Sequence, residues 1–362
     1  PLMAPAVLVV LLLSTIRALE TFEIEMVLGA PRNIYVYSMQ VYYLIYSEPP
    51  EFGPATALAV MVLLLIVPLV IGQILITRKR YTTLGVQNKA STIRLGFWRW
   101  PAFVLVAGVA TFTTIIPTLM LLTGTFMKLW GFFNLPEPWT IQHWQTVLSD
   151  PIFVRSLINT ATMSAGAALL GAVWCLIVSY IVVRTQFAGR YLLDFLSWLP
   201  FALPGVILGL GYLWMFLYVP FFRLLYGSLF MLILVLTLSA MTSNIQILRS
   251  NLLQIGADLE EASRVTGSSW FFCFRTIILP LVARTTFLAA VFGFAIAARN
   301  ISHVALLSSS TTRPLALLQL DYIVEGRYEP AGVVGLLLLL LTVGVALLIR
   351  KLGFRIGAQH GV

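Results

Sequence analysis

Long apolar runs are the feature that most constrains what this chain can fold into. Residues 63–70 and 336–341 are apolar on every helical face, and each lies inside a longer segment with almost no charge. About 20 apolar residues in a helix cross the roughly 30 Å hydrocarbon core of a bilayer. Spanning β-strands alternate in polarity and are about half as long, whereas these runs do not alternate. We therefore expect an all-α polytopic membrane protein.

Composition agrees with this expectation, because 59% of residues are hydrophobic, 10% are charged and the mean hydropathy is +0.94. A soluble fold of 362 residues could not bury that much apolar surface. Eight segments satisfy the length criterion for a membrane-spanning helix. They are residues 3–19, 55–77, 102–124, 157–183, 194–219, 225–247, 282–304 and 331–349.

The distribution of basic residues predicts the orientation, since Lys and Arg are retained on the cytoplasmic side. If residues 248–280 are cytoplasmic, three further basic segments lie on the same side. They are 78–100 (Arg78, Lys79, Arg80, Lys89, Arg94, Arg99), 184–193 (Arg184, Arg190) and the tail (Arg350, Lys351, Arg355). The net charge of +9 is then explained by topology, and no nucleic-acid partner is needed.

The sequence also contains an internal repeat. At an offset of 279 residues, Pro1-Leu2 aligns with Pro280-Leu281 and residues 7–19 align with 286–298; after a three-residue gap, 52–55 align with 328–331. The chain starts at Pro1 rather than at an initiator Met, and we expect an upstream half to be missing. We interpret 1–77 as the last two helices of a first half, 78–100 as a basic cytoplasmic linker, and 101–362 as a complete six-helix second half.

A polar island at residues 255–280 interrupts the apolar pattern. Asp258 can cap a short helix whose third following residue is Glu261, and Gly267 can end that helix. Ser268 or Ser269 can cap a second short helix, carrying 270–274 and ending at Pro280. Such a hairpin suits either docking into a groove of a partner protein or lying at the membrane surface as an interfacial helix.

The island resembles the EAA loop of permease subunits of binding-protein-dependent ABC importers. The residues that carry the resemblance are Glu261-Ala262-Ser263, then Gly267 after three residues, and then Ile277, Leu279 and Pro280 after nine more; Ser263 replaces the second Ala of that pattern. The resemblance implies a type I-like permease bundle in a bacterial inner membrane, with a periplasmic binding protein delivering cargo and two ATPase subunits binding two coupling loops, one of which is loop 248–280. The residues expected to serve ATPase coupling are Asp258, Glu261, Ala262, Ser263, Gly267, Ile277, Leu279 and Pro280.

The chain contains no Gly-x4-Gly-Lys-Ser/Thr phosphate loop and no nucleophile constellation, so we expect it not to be an enzyme. ATP and Mg²⁺ would be bound by the partner ATPase, and no cofactor is expected in this chain. Its three histidines are scattered, which makes a metal site built from them unexpected. A tyrosine cluster at residues 35–46 could suggest a ferric site, but an aromatic belt at the membrane interface explains it more simply.

Polar or helix-breaking residues inside spans usually face a bundle interior or a cavity. Each such residue here could line a translocation pathway or gate, or could instead serve helix packing and hydrogen bonding between helices. The candidates are Asn159, Thr160, Pro204, Gly205, Gly209, Asn300 and Ser302.

The resemblance extends to ferric-iron importer permeases. It is carried by residues 17–23 with Leu28-Gly29, by 199–205 and by 299–302. Thiamine and phosphonate importers use similar fused permeases, so both cargoes stay open. A secondary transporter driven by an ion gradient is an alternative from another class, but it predicts paired intramembrane carboxylates, and no Asp or Glu lies near the middle of a predicted span. A membrane receptor or structural protein is a third alternative.

Overall fold

A computed structural model describes residues 23–78, 96–256 and 258–358, together with residues 11, 14, 15 and 18. In these ranges the chain is built from helices and turns, with one isolated β-bridge between Met127 and Trp139. The helices are α1 Glu23–Leu28, α2 Tyr37–Tyr46, α3 Phe52–Arg78, α4 Gly96–Gly124, α5 Gln142–Ser149, α6 Pro151–Arg184, α7 Arg190–Ala202, α8 Gly205–Tyr218, α9 Pro220–Arg223, α10 Leu229–Gln254, α11 Asp258–Val265, α12 Trp270–Ala298, α13 Leu315–Val324 and α14 Tyr328–Ala358.

Five of these helices are long and apolar enough to cross a membrane, namely α4, α6, α10, α12 and α14, and α7 with α8 adds a sixth if the bent pair counts as one span. The predicted span 55–77 lies within α3, of which Phe52–Pro68 counts as a shorter apolar helix. The predicted span 3–19 lies almost entirely outside the described residues. The all-helical membrane fold is therefore confirmed, while the total of eight spans stays a prediction.

Three predicted spans differ in their ends or continuity from the observed helices. The span predicted at 194–219 is broken: α7 and α8 meet at a bend of 112°. Pro204 precedes α8, and proline disfavours a helical conformation in the residue before it, so Leu203 is extended. The span predicted at 225–247 is displaced toward the C-terminus, because α10 runs to Gln254. The span predicted at 282–304 ends early, at Ala298.

The bundle centre is formed by α6, α10 and α12. Small residues let these helices approach closely: a Cβ atom added to Gly293 of α12 would lie 3.0 Å from Nδ2 of Asn244 on α10. Lipid provides no hydrophobic driving force between apolar helices, so close packing and polar contacts must supply the association energy. The buried Asn244 and the glycines around it fix the register of these three helices.

The second helix of the predicted cytoplasmic hairpin is not a separate element. The α12 helix runs from Trp270 to Ala298, and residues 274–278 form a π-helical turn just before Pro280. Proline lacks an N–H and its ring clashes with the preceding turn of an α-helix, but a widened π turn relieves that clash. The helix therefore passes Pro280 instead of ending there.

Both segments aligned by the 279-residue offset contain the same order of elements. A short helix, α2 or α13, precedes a long helix, α3 or α14, and the long helices start at the aligned residues Phe52 and Tyr328. Burial repeats as well, since Ala55 and its aligned partner Ala331 are both buried. The assignment of these segments to two halves of a permease stays a prediction.

Candidate functional site

The short helix α11, predicted to be cytoplasmic, has one face turned away from the bundle and one turned toward it. Leu259 and Val265 are 47% and 89% exposed, and Glu261 and Ala262 are exposed beside them. We call these four residues the α11 surface. A short helix that presents apolar side chains and a carboxylate to solvent is suited to contact another protein.

The end of α11 matches the sequence prediction. Gly267 has a positive φ of 83°, and the N–H of Ser268 donates to the carbonyl of Ser263 at 3.2 Å, closing the helix. Ser269 then caps α12 by accepting a hydrogen bond from the N–H of Phe272. Asp258 is the first residue of α11. The sharp reversal at Gly267 needs the left-handed conformation that glycine adopts at least cost.

The opposite face of α11 is anchored to the bundle by Glu260, which is only 7% exposed. Its carboxylate accepts a hydrogen bond from the Tyr180 hydroxyl at 3.0 Å and forms an ion pair with Arg184 Nε at 3.4 Å. The Trp270 indole N–H donates to the Tyr180 oxygen at 3.0 Å. These contacts tie α11 to the C-terminal end of α6 and to the start of α12.

Arg184 links this anchor to a third helix. Its guanidinium also donates to the carbonyl of Leu252 at 2.8 Å and to that of Ile255, at the C-terminal end of α10. A cation at a helix C-terminus satisfies carbonyls that have no partner within the helix. We call Tyr180, Arg184, Glu260 and Trp270 the anchor network, and it holds the ends of α6, α10 and α12 against α11.

Sequence reasoning missed the anchor network. It selected Glu261 for ATPase coupling and assigned no role to Glu260. A usable signal was present: two adjacent glutamates lie about 100° apart around a helix, so in an eight-residue helix against a bundle one of them faces inward. Tyr180 and Arg184, spaced four residues apart at the end of α6, supply its partners.

The remaining predicted coupling residues lie apart from the α11 surface. Ser263 is buried on the inner face of α11, and Ile277, Leu279 and Pro280 belong to α12. Ile278, between them, is fully buried and packs in the core with residues of α6 and α10. Ile277 through Pro280 therefore shape the connection from α11 to the bundle and lie outside the surface that α11 presents.

On the other side of the bundle, residues 299–314 form a largely buried loop, which we call the outer loop. The Asn159 amide donates to the carbonyls of Thr311 and Arg313 at 2.9 and 3.1 Å. Thr160 accepts a hydrogen bond from the N–H of Leu315 at 2.8 Å. The sequence left two interpretations of Asn159 and Thr160, a translocation pathway or hydrogen bonding between helices. The described contacts fit the second, because they connect the end of the outer loop to α6.

The start of the outer loop packs against α8. A Cβ atom added to Gly205 would lie 2.7 Å from Ser302 Cβ and 2.8 Å from the His303 ring, and one added to Gly209 would lie 3.2 Å from the His303 carbonyl oxygen. Asn300 Oδ1 accepts from the His303 N–H at 3.0 Å and stabilises the turn. Pro204 immediately precedes α8 beside this contact. Gly205, Gly209, Asn300 and Ser302 are thus brought together, whereas Asn159 and Thr160 lie at the other end of the loop.

Charged and aromatic groups surround the outer loop. Arg313 and Asp321 form an ion pair at 2.9 Å, and burial raises the pKa of the Asp321 carboxyl, an effect that the Arg313 guanidinium opposes. The Tyr46 hydroxyl donates to the carbonyl of Ala305 at 2.6 Å, and its ring stacks on Tyr42. Among the residues that the structure describes, no group of three or more His, Cys, Asp or Glu is placed to hold a metal ion.

A helical bundle with five helices, in the described part of the chain, long and apolar enough to cross a membrane defines a multi-pass membrane protein. Comparison with known proteins gives the family. The chain belongs to the family of binding-protein-dependent transport system inner membrane components, which matches residues 167–357. It is therefore a multi-pass inner-membrane protein.

Several relatives show what this chain resembles. The ferric transport system permease protein FbpB of Actinobacillus pleuropneumoniae is 28% identical over 96% of this chain and 50% of its own length. A putative ferric transport permease, FbpB 1 of Haemophilus influenzae, is 28% identical over 86% of this chain and 49% of its own. A sulfate transport system permease, CysT of Salmonella typhimurium, is 26% identical over 50% of this chain and 65% of its own. The chain spans about half the length of the two ferric permeases.

Among solved structures, a bacterial ABC transporter that imports alginate matches with a TM-score of 0.59, covering 71% of this chain and 96% of its own at 17% identity. The alginate transporter in complex with its alginate-loaded periplasmic protein matches with a TM-score of 0.55, covering 72% of this chain and 98% of its own, also at 17% identity. At this identity the likeness establishes the fold.

Proposed function

We propose that the chain is a permease subunit of an ATP-driven importer that receives cargo from a periplasmic binding protein. The observation that carries this proposal is the α11 surface, exposed to solvent on one face and fixed to three bundle helices on the other through Glu260 and Arg184. A displacement of such a helix would be transmitted to the bundle, because the ends of α6, α10 and α12 would have to move with it. Two separate ATPase subunits would displace α11 as they bind and hydrolyse ATP with Mg²⁺.

In this proposal the α11 surface couples ATPase closure to an outward opening of the bundle. ATP draws the two motor subunits together, the docked helices follow, and the bundle shifts between two packed arrangements. Asp258, Glu261, Ala262 and Gly267 serve the docking contact or its geometry. Ser263, Ile277, Leu279 and Pro280 act behind that contact by shaping the inner face of α11 and its link to α12.

We further propose the domain organisation predicted from the sequence: 1–77 as the end of one permease half, 78–100 as a linker and 101–362 as the second half. The repeated order of helices, α2–α3 and α13–α14, supports it. Residues 79–95 of the linker lie outside the described residues. The match to about half the length of the ferric permeases is compatible with a protein of two such bundles.

Ferric iron is the proposed cargo. The two ferric permeases align with 96% and 86% of this chain, whereas the sulfate permease aligns with 50%. Thiamine, a phosphonate and sulfate are the alternatives that the experiment must separate.

The test of cargo uses the full-length permease with its ATPase and binding protein in proteoliposomes. We expect the binding protein loaded with ferric iron to stimulate ATP hydrolysis and ⁵⁵Fe uptake above the unloaded protein. Thiamine, a phosphonate and sulfate, each offered with the same components, should give no stimulation. Stimulation by one of these in place of iron would overturn the cargo and keep the importer, whereas uptake driven by an ion gradient without ATP would overturn the importer.

Replacing Glu261 with lysine should weaken ATPase binding at least tenfold while leaving the bundle folded. Truncating or reversing one partner of a charge pair that becomes buried in an interface costs about 2–5 kcal/mol, and about 1.4 kcal/mol is a factor of ten. Co-purification of the ATPase and its dissociation constant for detergent-solubilised permease measure the effect. Glu51→Lys, an exposed change outside the cytoplasmic face, is the matched control. Unchanged ATPase binding and transport in Glu261→Lys would contradict the docking role of α11.

A further inference from the structure

One hydrogen bond joins equivalent positions of the two repeat copies. Ser302 Oγ donates to Glu23 Oε1 at 2.8 Å, and the two residues are 279 positions apart, which is the offset that aligns the copies. At the same offset Gln40 aligns with Gln319 and Tyr43 with Tyr322, each pair identical. The contact therefore pairs a position in one copy with the corresponding position in the other.

Such a contact locates the axis that relates the copies. In the organisation proposed above, both copies lead from a predicted span through an outer segment into a second span, which makes them parallel repeats related by an axis along the membrane normal. In a two-fold arrangement, a position can touch its own equivalent only where the axis passes between them. Glu23 and Ser302 thus mark the axis at the outer end of the bundle.

A cavity at this point is lined by both copies. It has a volume of about 380 Å³, with Glu23 and Val27 on one side and Ile301 and Gln319 on the other. The rest of its wall is apolar, and Glu23 contributes the carboxylate there. A charge in surroundings of low polarity acts over a longer distance than one in water.

The position of Ser302 is fixed by its contact with α8. Gly205 of α8 allows Ser302 and His303 to approach so closely that any side chain at 205 would overlap them. Ser302 is therefore held by the second half while Glu23 belongs to the first copy. A movement of the copies apart would separate the two side chains.

We propose that Glu23 and Ser302 form the polar closure of the cargo passage at its outer mouth, and that the Glu23 carboxylate selects cationic over anionic cargo. This inference rests on the proposed importer function. When the bundle opens outward, the hydrogen bond breaks and the carboxylate faces the entering cargo. Carboxylates that line a pore favour cations and exclude anions by the sign of their field. Ser302 supplies one hydrogen-bond donor to Glu23 while the passage is closed.

The first experiment compares Glu23→Gln, Glu23→Asp and Ser302→Ala with the native permease in the proteoliposome assay. We expect Glu23→Gln to lower ferric uptake at least tenfold while ATPase binding is retained, and Glu23→Asp to recover most of the uptake. Ser302→Ala should raise ATP hydrolysis without cargo severalfold, because the closed state loses its hydrogen bond. Glu51→Gln, a neutralisation at an exposed external position, is the control and should match the native protein. Native-like uptake by Glu23→Gln overturns the inference.

The second experiment measures the electrostatic field at the Glu23–Ser302 contact by chemical labelling, without a transport assay. Ser302→Cys is labelled with cationic and anionic methanethiosulfonates of similar size, with and without Glu23→Gln; the native Cys175 and Cys273 are both buried. We expect the cationic reagent to react faster by at least threefold, and this preference to vanish in Glu23→Gln. An equal ratio in both backgrounds, or no labelling in any nucleotide state, overturns the inference. If the native permease does not carry iron but the labelling still prefers the cationic reagent, the proposed cargo is overturned and this inference is kept.

Discussion

Arg184→Met should lower the free energy of unfolding by about 3–5 kcal/mol, because it leaves the Glu260 carboxylate buried without its counter-charge. The Arg184 and Glu260 side chains are 11% and 9% exposed, so water cannot replace the lost partner. The carbonyls of Leu252 and Ile255 lose their donor in the same change. Thermal unfolding of the detergent-solubilised permease, followed by tryptophan fluorescence, measures the loss.

Two further variants make this prediction specific. Arg184→Met combined with Glu260→Gln should recover some of the loss, because the buried charge is gone and an acceptor for Tyr180 remains. Arg249→Met breaks a shorter ion pair, 2.7 Å from Asp194, whose side chains are 31% and 29% exposed. It should cost less, about 1 kcal/mol, since water reaches this half-buried pair and screens it. Equal losses for Arg184→Met and Arg249→Met would contradict the anchor network as a buried element.

Gly205→Ala should destabilise the protein by about 1–3 kcal/mol, although alanine favours helix formation over glycine. The added Cβ atom would lie 2.7 Å from Ser302 Cβ, and to relieve this contact the outer loop must shift away from α8. Thermal unfolding measures the cost, and the labelling rate of Ser302→Cys in the same background reports the displacement of the loop.

Gly211→Ala is the control on the same helix. No atom lies within 4 Å of a Cβ placed at 211, so this change should be neutral or should stabilise α8 by up to about 1 kcal/mol. Equal thermal stability of the two variants would mean that the outer loop moves away from α8 without a loss of stability. A loss confined to Gly205→Ala would support the loop as a rigid component of the bundle.

Much of the fold follows from local chemistry in the sequence. The length of apolar runs predicted α4, α6, α10, α12 and α14, because covering the hydrocarbon core is a requirement on each helix separately. The end of α11 at Gly267 and the cap at Ser269 follow from residue type alone. The break of the 194–219 segment coincides with Pro204, a helix-breaking residue that the sequence analysis singled out, whereas the angle of 112° depends on tertiary packing.

The features that sequence reasoning missed depend on partners distant in the chain. The choice between Glu260 and Glu261 as the inward residue is set by Tyr180 and Arg184, with Tyr180 lying 80 positions from Glu260. The continuity of α12 past Pro280 depends on a π turn, for which the sequence contains no local signal. The first part of the outer loop, residues 299–304, was predicted as the end of a membrane span, yet His303 and Val304 are buried within the protein.

The unbroken course of α12 gives the molecule a long lever arm. Its 29 residues extend about 43 Å from the cytoplasmic anchor at Trp270 to the outer loop that carries Ser302. A tilt of about 5° at the cytoplasmic end would displace the far end by about 4 Å, which exceeds the reach of a hydrogen bond. A small rotation imposed on one side of the membrane is thus amplified, by rigid geometry alone, into a displacement large enough to pull a pair of side chains apart on the other.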